Sequence, residues 1–269
     1  MHEVYNRSLE GYSFADLHMH TTGSLDVRRR TNGMAPREAV LSAADAGLTA
    51  LAITDHDFLP SSYEAWDFSQ KEGLKVDVIP GMELTTTDGH LIVLGLTSPI
   101  EKGLSMEESI KQTHRQKGLV IAPHPFFRIL KSPKRRILSK IIRSKDPEIY
   151  FDGFETYNTG VEDVSQRKRS IRNTNDFTQR LYANHEVQLG AAIGSSDGHR
   201  MTVGRGLTAF KDNLFDAIRN RTTMAVQMDF EDNRRLVMNA IKLFGEERVL
   251  EGLTLEEFER RRRHDPLAK

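Results

Sequence analysis

The sequence contains no cysteine. That excludes disulfides and any thiolate-bound metal, so a metal held here must be held by His, Asp and Glu. No apolar run reaches membrane-spanning length, and the opening "MHEVYNRSLEGYSF" lacks the apolar segment of a signal peptide. The expectation is a cytoplasmic protein without a membrane partner. Charge of one sign is also missing: 38 Lys and Arg balance 38 Asp and Glu, so no global field draws the chain to nucleic acid or membrane. No repeat, low-complexity tract or linker divides the 269 residues, a usual length for an α/β barrel. A single domain over 1–269 is expected, with its motif-bearing core at about 14–210 and a helical, charged C-terminal extension at about 211–269.

Short apolar runs alternate with helical patterns. "FADLHMH", "LTALAIT", "VDVIPGMEL", "HLIVLGL", "LVIAPHP", "DGFETYN" and "QLGAAIGSSDGH" read as strands. "PREAVLSAADAG" reads as a helix, with Pro36 in its first turn and Gly47 at its stop. Ser105 and Glu108 form a capping box for a helix running to about Gly118, and one long helical stretch spans about Val161 to His185. Alternating strands and helices imply a parallel sheet or barrel.

Six of the ten histidines, with several acids, fall at strand ends. His18 and His20 end the first strand; Asp55 and His56 follow the second. Glu83 follows "VDVIPGM", His90 opens "HLIVLGL", His124 follows "LVIAP", and Asp197 and His199 follow "LGAAIGSS". Barrel enzymes place catalytic groups at the C-terminal ends of their strands. Residues i and i+2 of a strand share a face, so Asp16, His18 and His20 are expected to point together, away from Leu17 and Met19. A single histidine on an apolar strand would read as structural; this clustering reads as a metal site. His2, His114, His185 and His264 read as surface or terminal residues.

The ordered set "DLHMHTTGSLD", "ITDHD", "GMEL", "HLIVLGL", "APHPF", "DGFETYN" and "GSSDGH" resembles the PHP (polymerase and histidinol phosphatase) superfamily, above all its stand-alone phosphoesterases. The resemblance implies a distorted (β/α)7 TIM-like barrel with two or three divalent ions at its C-terminal mouth. His18, His20, Glu83 and Asp197 would hold the first ion. Glu83 would bridge to a second, shared with His90 and His124, and Asp26, His56 and His199 would hold a third. Asp26 stands one residue beyond the commonest family spacing. Asp16 and Asp55 would orient the ligating imidazoles. The implied chemistry is attack of a metal-bridging hydroxide on phosphorus, with His199 or His56 assisting the leaving group. Nitrogen and oxygen ligation suits Mn, Fe, Zn or Mg alike.

Arg128, Arg200 and Asn158 stand near these motifs as candidate substrate contacts. The segment Arg128–Lys145 carries eight basic residues and no acid. Ser132-Pro133 would start a helix with Ile137, Leu138, Ile141 and Ile142 on one face and Arg136, Lys140 and Arg143 on the other. It reads either as an outer helix with a solvated basic face or as a cap that attracts nucleotides or single-stranded nucleic acid ends. A small phosphoester or nucleotide stands first as substrate. The alternatives are a single-stranded nucleic acid end, a carbamate or carboxylic ester, and a non-catalytic metal-binding module.

Overall fold

Nine strands pair in the order β7-β6-β5-β4-β3-β2-β1-β8-β9. They are β1 (Ser13–Met19), β2 (Ala50–Ile53), β3 (Asp77–Thr86), β4 (Gly89–Leu94), β5 (Leu119–Ala122), β6 (Gly153–Asn158), β7 (Ala191–Ser195), β8 (Gly206–Phe210) and β9 (Met224–Gln227). Between them run α1 (Leu25–Arg28), α2 (Pro36–Asp45), α3 (Pro60–Lys71), α4 (Met106–Arg115), α5 (Arg135–Ile142), α6 (Thr159–Arg167), α7 (Asn175–Leu189) and α8 (Leu214–Arg219). The structure, a computed structural model, describes residues 11–29, 33–168, 171–199 and 203–227. Among these, no helix is long and apolar enough to cross a membrane.

The seven strands expected from the sequence form β1 to β7, and the sheet curls into a nearly closed, distorted barrel. The distortion has local causes. Only two residues join Thr86 of β3 to Gly89 of β4, and so short a link permits only antiparallel pairing. β4 is therefore antiparallel to both β3 and β5, whereas β1–β2, β2–β3, β5–β6 and β6–β7 are parallel. β8 runs antiparallel to β1 and brings the sheet back to β7. There Thr208 Oγ1 accepts from Gly194 N at 3.1 Å and donates to Gly194 O at 2.9 Å. A Cβ at Gly194 would lie 2.2 Å from Leu207 O, so the seam demands glycine. On the rim, His20 N donates to Gly198 O at 2.9 Å.

One apolar cluster draws side chains from β1 to β5, β7 and β8, including Leu17, Ile79, Leu94, Ile121, Ile193 and Phe210, and so fills the barrel interior. α8 closes that floor with Leu214, Ala217 and Ile218. Two further clusters lie outside the ring, one beneath α2 and α3 and one beneath α4, α5 and α7. Each fully buried Leu, Ile or Phe contributes about 1.5–3 kcal/mol. The described part of the C-terminal extension holds α8 and β9; residues 228–269, with the charged tail, lie outside the described residues.

Helix starts follow local chemistry. Ser105 accepts from Glu108 N at 3.2 Å at the head of α4, and Pro36 opens α2. Two expectations are corrected. The stretch 161–185 is not one helix but α6 and α7, separated where Asn173 Oδ1 accepts from Asn175 N at 2.9 Å, a side-chain turn that competes with helical bonding. α5 starts at Arg135, because Ser132 turns its hydroxyl onto the carbonyls of His124 (2.6 Å) and Phe127.

Candidate metal centre

Above the apolar floor the same strands turn polar. On β3 the alternation that points Ile79 inward brings Glu83 inward too, and on β4 His90 shares the face of Ile92 and Leu94. β1 breaks its alternation. Its register with β2 slips between Asp16 and Met19, so Leu17 and His18 both face inward and Met19 packs outside. His124 and Asp197 follow β5 and β7 with positive φ of 28° and 48°, strained values that surrounding bonds must hold. His124 N donates to Glu155 Oε2 at 2.5 Å. Gly160 leaves room for Asp197: a Cβ there would sit 2.9 Å from Asp197 Oδ2.

Glu83 lies at the centre, 1% exposed. Its Oε1 is 2.7 Å from His90 Nδ1 and 3.0 Å from His124 Nε2. Its Oε2 is 3.3 Å from His18 Nε2, 3.2 Å from His20 Nε2 and 3.1 Å from His56 Nδ1. Asp197 Oδ1 lies 3.5 Å from Nε2 of both His18 and His20. Further out, His199 Nε2 is 3.1 Å from Asp26 Oδ2. Ligand atoms of His18, His20 and Asp197, of His18, Glu83 and His124, of His56, Glu83 and His90, and of His20, His56 and His199 converge within 4.8 Å in each set.

Several of these rings are gripped at the nitrogen that faces away from the centre. His18 Nδ1 lies 2.9 Å from Glu155 Oε1, His124 Nδ1 3.0 Å from Ser132 Oγ, and His20 Nδ1 3.4 Å from Ser24 Oγ. Such partners fix the tautomer and leave the opposite lone pair for a cation. His18 Nε2 and His20 Nε2 are only 3.0 Å apart. His56 Nδ1, despite its nearness to Glu83, is buried and makes no hydrogen bond. Converging nitrogen and oxygen donors with an orphaned buried imidazole nitrogen fit divalent ions better than a hydrogen-bonded polar core.

The electrostatics agree. Burial opposes charge on His18, but Asp197, Glu155 and Glu83 outweigh it and hold the imidazolium well above its ordinary value. His20 is pushed up to about 9, burial again being outweighed, here by Asp197 and Glu83. Burial likewise opposes ionisation of Glu83 and Asp197, yet the histidines, His18 first, keep both carboxyls well below the usual range. Burial takes His56 the other way, down to about 4. Without metal, protons must neutralise these carboxylates; bound ions would displace them.

Some expected roles change. Asp16 touches no imidazole ring: its carboxylate accepts from Ser196 N and Gly204 N, both at 3.1 Å, and ties β1 to the loop after β7. The slip in β1 explains this, since it turns Asp16 and His18 to different sides. Burial raises the Asp16 carboxyl to about 6. Asp55 acts on imidazoles only through Ser24, whose hydroxyl donates to it at 2.9 Å; it also accepts from Thr21 N at 2.6 Å and from Ser61 Oγ. Asn158, expected as a substrate contact, is engaged within the fold. Its Oδ1 accepts from Val161 N at 2.9 Å, while Nδ2 donates to Glu155 (2.8 Å) and Asp197 (3.3 Å). Arg200 and the side chain of Arg128 lie outside the described residues. Sequence reasoning missed Glu155, Ser24 and Ser132. Glu155 did leave a signal, an acid in mid-strand between Phe154 and Tyr157.

His114 also differs from its surface reading. It is half-buried, with Nδ1 2.9 Å from Glu148 O and Nε2 3.0 Å from Asp152 Oδ2, and it stacks on Tyr150.

Fold and site together describe an α/β barrel whose mouth gathers side chains able to hold divalent ions. No family model matches the sequence. The chain is 35% identical over 149 residues to an uncharacterised protein of Methanocaldococcus jannaschii, covering 54% of this chain and 81% of that one. It is 34% identical over 103 residues to the 5'-3' exoribonuclease Rnm of Escherichia coli, a match covering 38% of this chain and only 33% of that enzyme. In structure it resembles a two-domain protein of Bacteroides vulgatus containing a predicted PHP-like metal-dependent phosphoesterase, with a TM-score of 0.59 at 19% identity over 87% of this chain and 71% of the other. Its fold is that of PHP-like metal-dependent phosphoesterases of known structure.

Proposed function

We propose that the chain hydrolyses phosphodiesters at the end of a single-stranded nucleic acid. In this reading His18, His20, Asp197 and Glu83 would hold one divalent ion, and His90, His124 and Glu83 a second. Asp26, His56 and His199 hold a third. The observation that carries the reading is the division of Glu83, whose two oxygens face two different sets of imidazoles at 2.7–3.3 Å. A carboxylate so placed is built to bridge two cations.

Divalent ions there supply Lewis-acid polarisation of the phosphate and acidify water. The chain's own residues do the rest. Glu155, Ser24 and Ser132 keep the imidazoles aimed inward, and the strained backbone at His124 and Asp197 holds both side chains over the floor. His199, paired with Asp26 and 21% exposed at its side chain, and His56, neutral because burial lowers it to about 4, stand at the open side, where a leaving oxygen would depart. The likeness to an exoribonuclease supports a nucleic acid as substrate over the small ester that the sequence alone ranks first. Mn, Fe, Zn and Mg all suit the donors.

The test is hydrolysis of a 5'-phosphorylated single-stranded RNA by protein reloaded with each metal. Release of mononucleotides that stops on chelation supports the reading. Intact RNA beside a rapidly cleaved chromogenic phosphate ester would return the small ester to first place.

A further inference from the structure

The basic segment Arg128–Lys145 divides in two. On α5 and at its C-terminal cap, Arg136, Lys140 and Arg143 are exposed, while Ile137, Leu138 and Ile141 pack beneath them. Lys140 is paired with Glu107 at 2.7 Å. This face is the solvated side of an outer helix. The earlier half of the segment behaves differently. Lys131, Lys134 and Arg135 line a groove of about 840 Å³, together with Arg172 from the approach to α7 and the rings of Phe126 and Phe177. Among the described residues none of these four cations makes an ion pair. The acid on the groove wall, Asp88, is already engaged, accepting from Met106 N at 3.1 Å.

The groove adjoins the metal centre through its own wall. Ser132, which lines it, lies 3.0 Å from His124 Nδ1, and Lys131 O accepts from His90 N at 2.8 Å. The two histidines so held belong to one side of Glu83. Phe126 and Phe177 meet edge to face at 5.1 Å, and Phe177 remains 39% exposed. Unpaired cations around an exposed aromatic ring are what a single strand of nucleic acid requires, phosphates on the cations and a base against the ring. A small ester has no part that would reach them.

We infer that this groove binds the nucleotides next to the scissile phosphodiester of a single-stranded oligonucleotide, with Phe177 as stacking face and Lys131, Lys134, Arg135 and Arg172 as phosphate contacts. The inference rests on the phosphodiesterase reading above, and its test is chosen to fail separately. Binding of a fluorescent single-stranded RNA to metal-free protein is measured by anisotropy across a salt series, beside hydrolysis of a small chromogenic ester by the metal-loaded protein. Phe177→Ala should weaken RNA binding about ten-fold, and Phe177→Trp should restore it. Replacing Lys134, Arg135 and Arg172 together with glutamine should flatten the logarithmic salt slope by about 2, at about 0.7 per phosphate contact. The small ester ends short of the groove, so its rate reports the metal centre alone. Both variants binding RNA with parental affinity and salt slope would overturn the groove while leaving the metal centre untouched. RNA binding that depends on Phe177 in a protein that, loaded with metal, cleaves neither RNA nor the ester would keep the groove and overturn the hydrolase reading.

Discussion

The floor and the mouth of this barrel are built from the same strands and teach opposite lessons. On β3, Ile79 and Glu83 share one face; on β4, Leu94 and His90 do; on β1, Leu17 and His18 are adjacent. The floor is apolar and packed, and nothing in it calls for a ligand. The mouth, a few residues along each strand, buries three carboxylates, Glu83, Glu155 and Asp197, among imidazoles. Buried charge of that density is costly unless compensated. The floor therefore supplies the rigidity that holds the mouth in a configuration only cations make comfortable.

The comparison can be broken at either layer. The largest effect is expected in the mouth. Glu83→Ala should remove at least one metal equivalent and lower turnover about a thousand-fold or more, since under the proposed reading it would delete a bridging ligand from a site supplying several kcal/mol of transition-state stabilisation. Elemental analysis and steady-state rates check this. In the floor, Leu94→Ala should cost about 2–5 kcal/mol of unfolding free energy yet leave metal stoichiometry unchanged in the protein that remains folded. Denaturant titration beside metal analysis separates the two.

Smaller effects sharpen the boundary. Glu155→Gln keeps the shape but weakens the grip on His18, and should lower metal affinity about 10–100-fold; competition with a chromogenic chelator measures it. The smallest change is expected far from the mouth, at His114. Burial opposes its protonation, but Asp152 and the Glu148 carbonyl outweigh it and raise the ring above its ordinary value. Because the folded value lies above the unfolded one, the contribution is complete below the unfolded histidine pKa and is lost as pH rises through the folded value. His114→Gln should thus cost about 1 kcal/mol or less near pH 6, since the pair is partly exposed, and less still near pH 9.

Much of this was legible in the sequence, where the rules needed were local. Period-two spacing makes His18 and His20 neighbours, and polar residues at strand ends point to the mouth. What escaped depends on long-range pairing. Asp16 was expected beside His18 because alternation was counted straight through β1, and only the register against β2 reveals the slip. Asn158 looked free to meet a substrate, but Glu155 and Asp197 use its amide. Glu155 itself was passed over because its partners, His18 and Ser195, lie on other strands. The two characters of the basic segment appear only once α5 is placed, with one face in solvent and the preceding loop turned into the groove.

The central claim, that these converging donors hold more than one divalent ion and that those ions carry the hydrolysis, is tested most directly by titrating metal-free protein with Mn²⁺. Bound equivalents and turnover are followed together. Two or more equivalents should bind, with activity absent before the second site fills and abolished again by chelator. Full turnover in protein that holds no metal by elemental analysis would contradict it.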